Sequence, residues 1–195
     1  MQLGRMPAEA ELESAYAEAA SEDYVDEEAG QRETARRALA RIEAVRGGRR
    51  GRLLDLGCWV GFLLSEAEAR GWQATGVEPS AFASTYARDR LGLDVRTEGL
   101  FSADLPEGSF DAVVLGDVLE HLPDPAAALD RIAALLADGG VLWMALPDAG
   151  SRLARGMGAR WWSVIPTHVQ YFTRRSIATL LERRGYSVLE ISTAP

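Results

Sequence analysis

Leu53-Leu-Asp-Leu-Gly-Cys-Trp-Val-Gly61 is an apolar run that ends in an acid and passes at once into a glycine loop. A short apolar run bounded by glycine reads as a buried strand. From about Phe62 to Arg70 the residues favour a helix, with Gly71 just past its end. Gln73 to Glu78 then reads as a second strand, and Ser80 as the cap of a helix running to about Arg90. The alternation continues. Asp94 to Glu98 and Phe110 to Gly116 read as the third and fourth strands. Asp124-Pro125 offers a capping carboxylate and a first-turn proline to a helix that carries Leu129, Ile132, Ala133 and Leu136 on one face and stops at Gly139-Gly140. Gly140 to Leu146 is a fifth strand, Thr173 caps a last helix ending at Gly185, and Ser187 to Ser192 is a sixth strand. Apolar strands alternating with helices predict parallel βαβ units: an α/β fold whose doubly wound, mostly parallel sheet is covered on both faces.

Upstream, Ala35, Ala38, Leu39, Ile42 and Val45 recur at helical spacing between Gln31 and Arg46. The first 30 residues are acidic and alanine-rich and read as an arm. Gly47 to Arg52 reads as an exposed turn, a nucleic-acid patch being the weaker reading of so short a basic run. Residues 1–50 are therefore expected to form an arm and a helix packing on the core, and residues 51–195 the ligand-binding domain. A net charge of −8 opposes a phosphate backbone, which makes a nucleic-acid partner unlikely. The single cysteine, Cys58, allows no intrachain disulfide, and Met1 to Ala20 is unlike a signal peptide. No apolar run approaches the roughly 18 residues of a membrane span. These features predict a cytoplasmic location.

In an open α/β sheet, ligands bind beyond the carboxyl ends of the strands near the switch point. Gly57 and Gly61 let the backbone turn tightly and approach a ligand, and Asp55 places an acid in the same crevice. Glu78, at the end of the second strand and 21 residues after Gly57, suits two hydrogen bonds to ribose hydroxyls. Either feature alone could be turn geometry or a solvated acid; their order and spacing together point to a bound nucleoside. A dinucleotide loop needs glycine at the middle position, where Trp59 stands, and no Gly-Lys-Ser/Thr phosphate cradle follows. A ligand with an amine, a sulfonium and a ribose fits these residues better. After the fourth strand, Gly116 to Pro125 crowds polar groups at the edge of the same crevice.

Asp55 to Gly61, Gly76 to Ser80, Gly108 to Asp111, Val118 to Pro125, Trp162…Pro166-x-His168…Phe172 and Arg184-Gly-Tyr186 form an ordered series. It resembles the class I S-adenosylmethionine (SAM)-dependent methyltransferases, in the branch labelled type 11, 12 or 23 and related to the ubiquinone-biosynthesis methyltransferases. The likeness covers about Tyr24 to Thr193. It implies a Rossmann-like fold, SAM as cofactor and S-adenosylhomocysteine as product. Asp55, Gly57, Cys58, Trp59 and Gly61 would wrap the methionine part, and Glu78 beside Pro79 the ribose. Leu100 and Phe101 would border the adenine, and Leu115, Gly116 and Asp117 would line the methionine side. Two departures stand out: bulky Trp59 fills a position usually small, and Gly99 to Asp104 lacks the acid many relatives set against the adenine amine, unless Asp104 serves. The seventh, antiparallel strand usual in the family is not expected within these residues. The sheet is expected to end on an exposed edge, or to place Ser187–Ser192 beside Gly140–Leu146, with a homodimer one way to cover it.

The expected reaction is methyl transfer to an unidentified small-molecule acceptor. The competing readings are a non-catalytic SAM-binding domain and, disfavoured by Trp59, a nicotinamide-dependent oxidoreductase. A hydroxyl acceptor must lose a proton, and two histidines are available. His121 could simply bond a loop carbonyl. His168 lies in an aromatic excursion, residues 151–172, that is expected to form a mobile lid over the acceptor. Two histidines and one cysteine suggest no zinc-like cluster, so no metal is expected.

Overall fold

The structure is a computed structural model and describes residues 27–193; the predicted N-terminal arm lies largely outside them. Five strands form one parallel sheet: β1 (Arg52–Leu56), β2 (Gln73–Val77), β3 (Val95–Arg96), β4 (Phe110–Gly116) and β5 (Leu136–Ala145). Their spatial order is β3-β2-β1-β4-β5, so the chain winds outward from β1 in one direction and then returns to its other side. That reversal opens a crevice at the carboxyl ends of β1 and β4.

Alternate residues of the central strands feed two apolar layers. Leu53, Ala112 and Val114 face α1 (Glu28–Val45), α2 (Phe62–Ala69) and α3 (Ala81–Leu91), where Leu39, Ile42, Leu64, Ala67, Trp72 and Ala87 complete the layer. Leu54, Leu56, Val113 and Leu115 face α4 (Pro125–Leu135) and α6 (Arg174–Arg183), against Leu129, Ile132, Leu135 and Leu181. Each fully buried leucine or isoleucine contributes about 1.5–3 kcal/mol, so both faces are strongly fixed. The N-terminal helix α1 thus shares the core, and Arg46 just past its end pairs with Asp111 of β4 at 2.6 Å.

The caps are those the sequence predicts. Ser80, Asp124 and Thr173 accept hydrogen bonds from the backbone of Ala83, Ala127 and Ser176. The remaining helical piece, α5 (Arg152–Met157), is capped by Ser151 and runs into a single turn of 3₁₀ helix, Gly158–Arg160.

Three boundaries differ from expectation. The helix α4 ends at Leu135, before the Gly139-Gly140 pair, because the chain turns directly into β5; the extra residues are absorbed by an irregular register between Phe110 and Ala112. The third strand shrinks to two residues. The predicted sixth strand, Ser187–Ser192, does not form. Val188 packs on the core, but Leu189 is 70% exposed, and no ladder joins the segment to β5 among the described residues. Alternating β-formers without a hydrogen-bonding partner strand make no strand. The described sheet accordingly ends at β5, whose residues are half-buried or exposed.

Candidate active site

The loop after β1 is shaped by positions that tolerate little else than glycine. Gly57 has φ +72°, and a Cβ there would lie 2.5 Å from Val118; Gly61 has φ +85°, with a Cβ 2.5 Å from Leu93. Between them Trp59 also adopts positive φ, 48°, and Asp117 after β4 has φ 53°. These are the two non-glycine residues in that region among the described residues, and both lie at the crevice. Left-handed backbone costs a bulky residue about 1–2 kcal/mol, so the fold holds strain where a ligand would sit.

Glu78, buried at the end of β2, joins this loop to the next. Its Oε2 accepts from the Trp59 N–H at 2.9 Å and its Oε1 from the Ser80 N–H at 2.8 Å. Each oxygen retains capacity to accept from a second donor such as a ribose hydroxyl. Asp55 is buried on β1, and its carboxyl is pushed up to about 7 by burial and by the charge of Glu78. Burial raises Glu78 too, against the pull of its two N–H partners. Two buried acids that resist ionisation together suit a ligand bringing positive charge.

The remaining predicted cofactor residues divide by what they present. Cys58 and Leu115 send their side chains into the core, and burial pushes the Cys58 thiol up, so any part they play is through the backbone. Pro79 and Gly116 are exposed. Past β3, Leu100 packs against the core while Phe101 is 60% exposed. Glu98, two residues beyond β3, has its Oε2 buried without a partner among the described residues. It stands one residue ahead of the Gly99–Asp104 stretch in which the sequence offers only Asp104.

Across the crevice, a single 3₁₀ turn, Leu119–His121, follows Asp117. Its middle residue, Glu120, is only 2% exposed, and neither carboxylate oxygen has a hydrogen-bond partner among the described residues. Burial, helped by the charge of Asp117, pushes this carboxyl up to about 7. The surrounding protein raises Asp117 itself. The Glu120 carbonyl accepts from Val169 N–H at 3.0 Å and Gln170 N–H at 2.9 Å, stitching the 151–172 excursion to this turn.

The same stitching brings the two histidines together from 47 positions apart. Their rings meet edge to face at 4.5 Å. His121 is held through Nδ1 by the Thr167 carbonyl at 2.9 Å, and burial pushes it down to about 4. His168 is buried, its Nδ1 paired with the Ser163 hydroxyl at 3.0 Å, and burial lowers it as well. Glu120, His121 and His168 each offer one donor atom within 4.8 Å of the other two. Sequence spacing suggests no such cluster; the fold assembles one. Glu120 and Ser163 escape the sequence reading, although the acid beside His121 in a polar run after a strand is a usable signal. The excursion is divided: residues 167–172 are tied down, Trp161 is 6% exposed, and Trp162 beside it is 65% exposed.

Comparison with known proteins identifies the family. A methyltransferase-domain family profile matches residues 28–191. The ubiquinone biosynthesis O-methyltransferase of Xanthomonas campestris pv. campestris is 41% identical over 101 residues, covering 48% of this chain and 41% of that one. The chain thus spans less than half the length of such curated relatives. Among solved structures, the putative methyltransferase in complex with the Trm112 methyltransferase activator of Haloferax volcanii has a TM-score of 0.72 at 20% identity, over 95% of this chain and 80% of that one. A phosphoethanolamine N-methyltransferase of Haemonchus contortus, solved with SAM, has a TM-score of 0.62 at 19% identity, over 77% and 36%. With a profile spanning most of its length, a glycine loop between strand-end acids and this sheet order, the chain belongs to the class I SAM-dependent methyltransferases.

Proposed function

We propose that this chain transfers the methyl group of SAM to a hydroxyl of a small-molecule acceptor. The observation that carries the reading is the buried, unpartnered carboxyl of Glu120 beside two histidines at the crevice. Bound SAM supplies a methyl group on a positively charged sulfur, ready for displacement.

The residues divide the work. The backbone from Asp55 to Gly61 holds the methionine part, Glu78 the ribose hydroxyls, and Glu98 with Leu100 and Phe101 the adenine side. Alignment of the acceptor oxygen with the methyl carbon supplies much of the rate, because a displacement is sensitive to the line of attack. As the oxygen–carbon bond forms and the carbon–sulfur bond breaks, the hydroxyl proton passes to the Glu120–His168 pair. Burial keeps His168 neutral, and so able to accept, at ordinary pH. The raised Glu120 lies near neutral pH, where a general base works best. The name of the Xanthomonas relative favours oxygen over nitrogen as the attacking atom.

Thermal melts with SAM, S-adenosylhomocysteine and NAD, followed by screening of hydroxyl and amine acceptor pools for S-adenosylhomocysteine release, test this. Stabilisation by the first two and release with hydroxyl acceptors are expected. Stabilisation by NAD alone would return the oxidoreductase reading, and SAM binding without release from any pool would return the non-catalytic one.

A further inference from the structure

The chain carries a net charge of −8, yet between Asp148 and Glu182 it contains five arginines and no acid. Three of these, Arg152, Arg155 and Arg160, sit on α5 and the 3₁₀ turn that follows, all exposed. None of the three makes an ion pair or side-chain hydrogen bond among the described residues, whereas Arg174 farther on is tied to Asp148. Interleaved with them are exposed apolar side chains: Leu153 and Met157, one helical turn apart on α5, then Trp162 and Ile165. Three residues between these point inward. Ala154, Trp161 and Ser163 are buried, and the Trp161 ring meets that of Trp162 at 5.8 Å. The outward set is therefore held on an anchored backbone.

A single exposed leucine or tryptophan on a soluble protein is ordinary. Four within 13 residues, spaced by unpaired arginines and free of acids, make a surface with a definite complement. Arginines spread among aliphatic and indole side chains match the boundary of a bilayer, where the guanidinium reaches phosphate, the indole sits at headgroup level and the aliphatic groups enter the acyl region. A nucleic acid would meet an otherwise acidic protein and gain nothing from Leu153, Met157 and Ile165. We infer that residues 152–165 form a docking surface for the anionic face of a phospholipid membrane. The contact is peripheral, since no helix among the described residues is long and apolar enough to cross one. The inference goes beyond the acceptor reading and does not depend on it, because its test measures partition and not turnover.

Sedimentation of the full chain with vesicles decides the matter. Vesicles of phosphatidylcholine mixed with phosphatidylglycerol should capture the protein, added salt should weaken capture, and phosphatidylcholine alone should hold little. Each arginine near such a surface is worth about a fivefold factor in partition. The triple variant Arg152→Gln/Arg155→Gln/Arg160→Gln should therefore lose roughly 10²-fold, and Trp162→Ser should also reduce capture. All four positions are exposed, and melts matching the parent chain confirm the fold. Equal capture by both vesicle types, no capture by either, or unchanged partition of the triple variant would overturn the proposal. So would preferential binding of a single-stranded oligonucleotide, or a dimer that Trp162→Ser dissolves without any vesicle binding.

Discussion

The two halves of the crevice are built in opposite ways. The half proposed to hold the cofactor is local: Asp55 to Gly61 and Glu78 come from consecutive strand ends, and two backbone N–H bonds to one carboxylate hold them together. The half proposed to take the acceptor is assembled at long range, from a turn after β4 and an excursion beyond β5, stitched by the Glu120 carbonyl. In the first half Glu78 is held by the protein on both oxygens; in the second, Glu120 is held on neither among the described residues. A half whose acid is already positioned is suited to one constant ligand. A half with a buried, unpartnered acid is suited to a ligand that completes it. Variation in acceptor is therefore expected to be written in the excursion and not in the glycine loop.

The sharpest way to break that division is at His168. His168→Gln retains a side chain able to bond the Ser163 hydroxyl but removes the base. Turnover should fall by roughly 10²-fold or more while SAM affinity stays within a factor of a few. Steady-state rates and calorimetry on the same preparation separate the two. A matching loss of SAM affinity would show that the halves are not independent.

The converse substitution is Glu78→Ala. Charge-assisted hydrogen bonds of about 1.5–3 kcal/mol are lost, so SAM should bind roughly ten- to a hundredfold more weakly by calorimetry. Part of that loss would come through the loop, because the Trp59 N–H loses its acceptor and the strained backbone its anchor. Glu78→Gln, which still offers one acceptor oxygen, should fall between the parent and Glu78→Ala. Unchanged affinity in both variants would remove Glu78 from the cofactor site.

The same contrast explains what could be read in advance. Strand one, its glycine loop and the acid of strand two are contiguous signals, and hydrophobic alternation with capping residues was enough to place them. The bulky Trp59 looked anomalous; the structure gives it positive φ and makes its N–H a ligand of Glu78, neither visible in a residue name. Glu98 carries no local sign of its burial, because its surroundings come from tertiary packing that the sequence does not show. Glu120 looks like any acid in a polar turn, and the Val169 and Gln170 backbone that bonds its carbonyl arrives from far along the chain. Ser187–Ser192 failed for the complementary reason: its pattern was right for a strand, but β5 supplies it no ladder. Local chemistry was legible; pairings across tens of residues were not.

The smallest effect expected is in the pH dependence of stability, and it separates the halves by their protons. Asp55 and Glu120 stand at about 7, and burial raises Glu78 in the same direction. From the ordinary carboxylate range up to about 7, Asp55 and Glu120 hold protons in the fold that the unfolded chain has lost, so they make stability fall as pH rises. The histidines act oppositely. His121, down at about 4, and His168, also lowered, are neutral in the fold where the unfolded imidazoles are charged, so they add stability as pH rises toward about 6.5. Between about pH 6.5 and pH 7 the unfolded imidazoles have lost their protons while Asp55 and Glu120 still hold theirs in the fold, which leaves a net decline there. Each whole proton contributes about 1.4 kcal/mol per pH unit, which amounts to a shift of a few degrees in melting temperature. Glu120→Gln should remove one proton's share of that decline whether or not SAM is present. Saturating SAM should flatten instead the share of Asp55 and Glu78, because its positive charge favours their ionised forms. If SAM abolished the Glu120 share, or left that of Asp55 intact, the cofactor and acceptor halves would have been assigned the wrong acids.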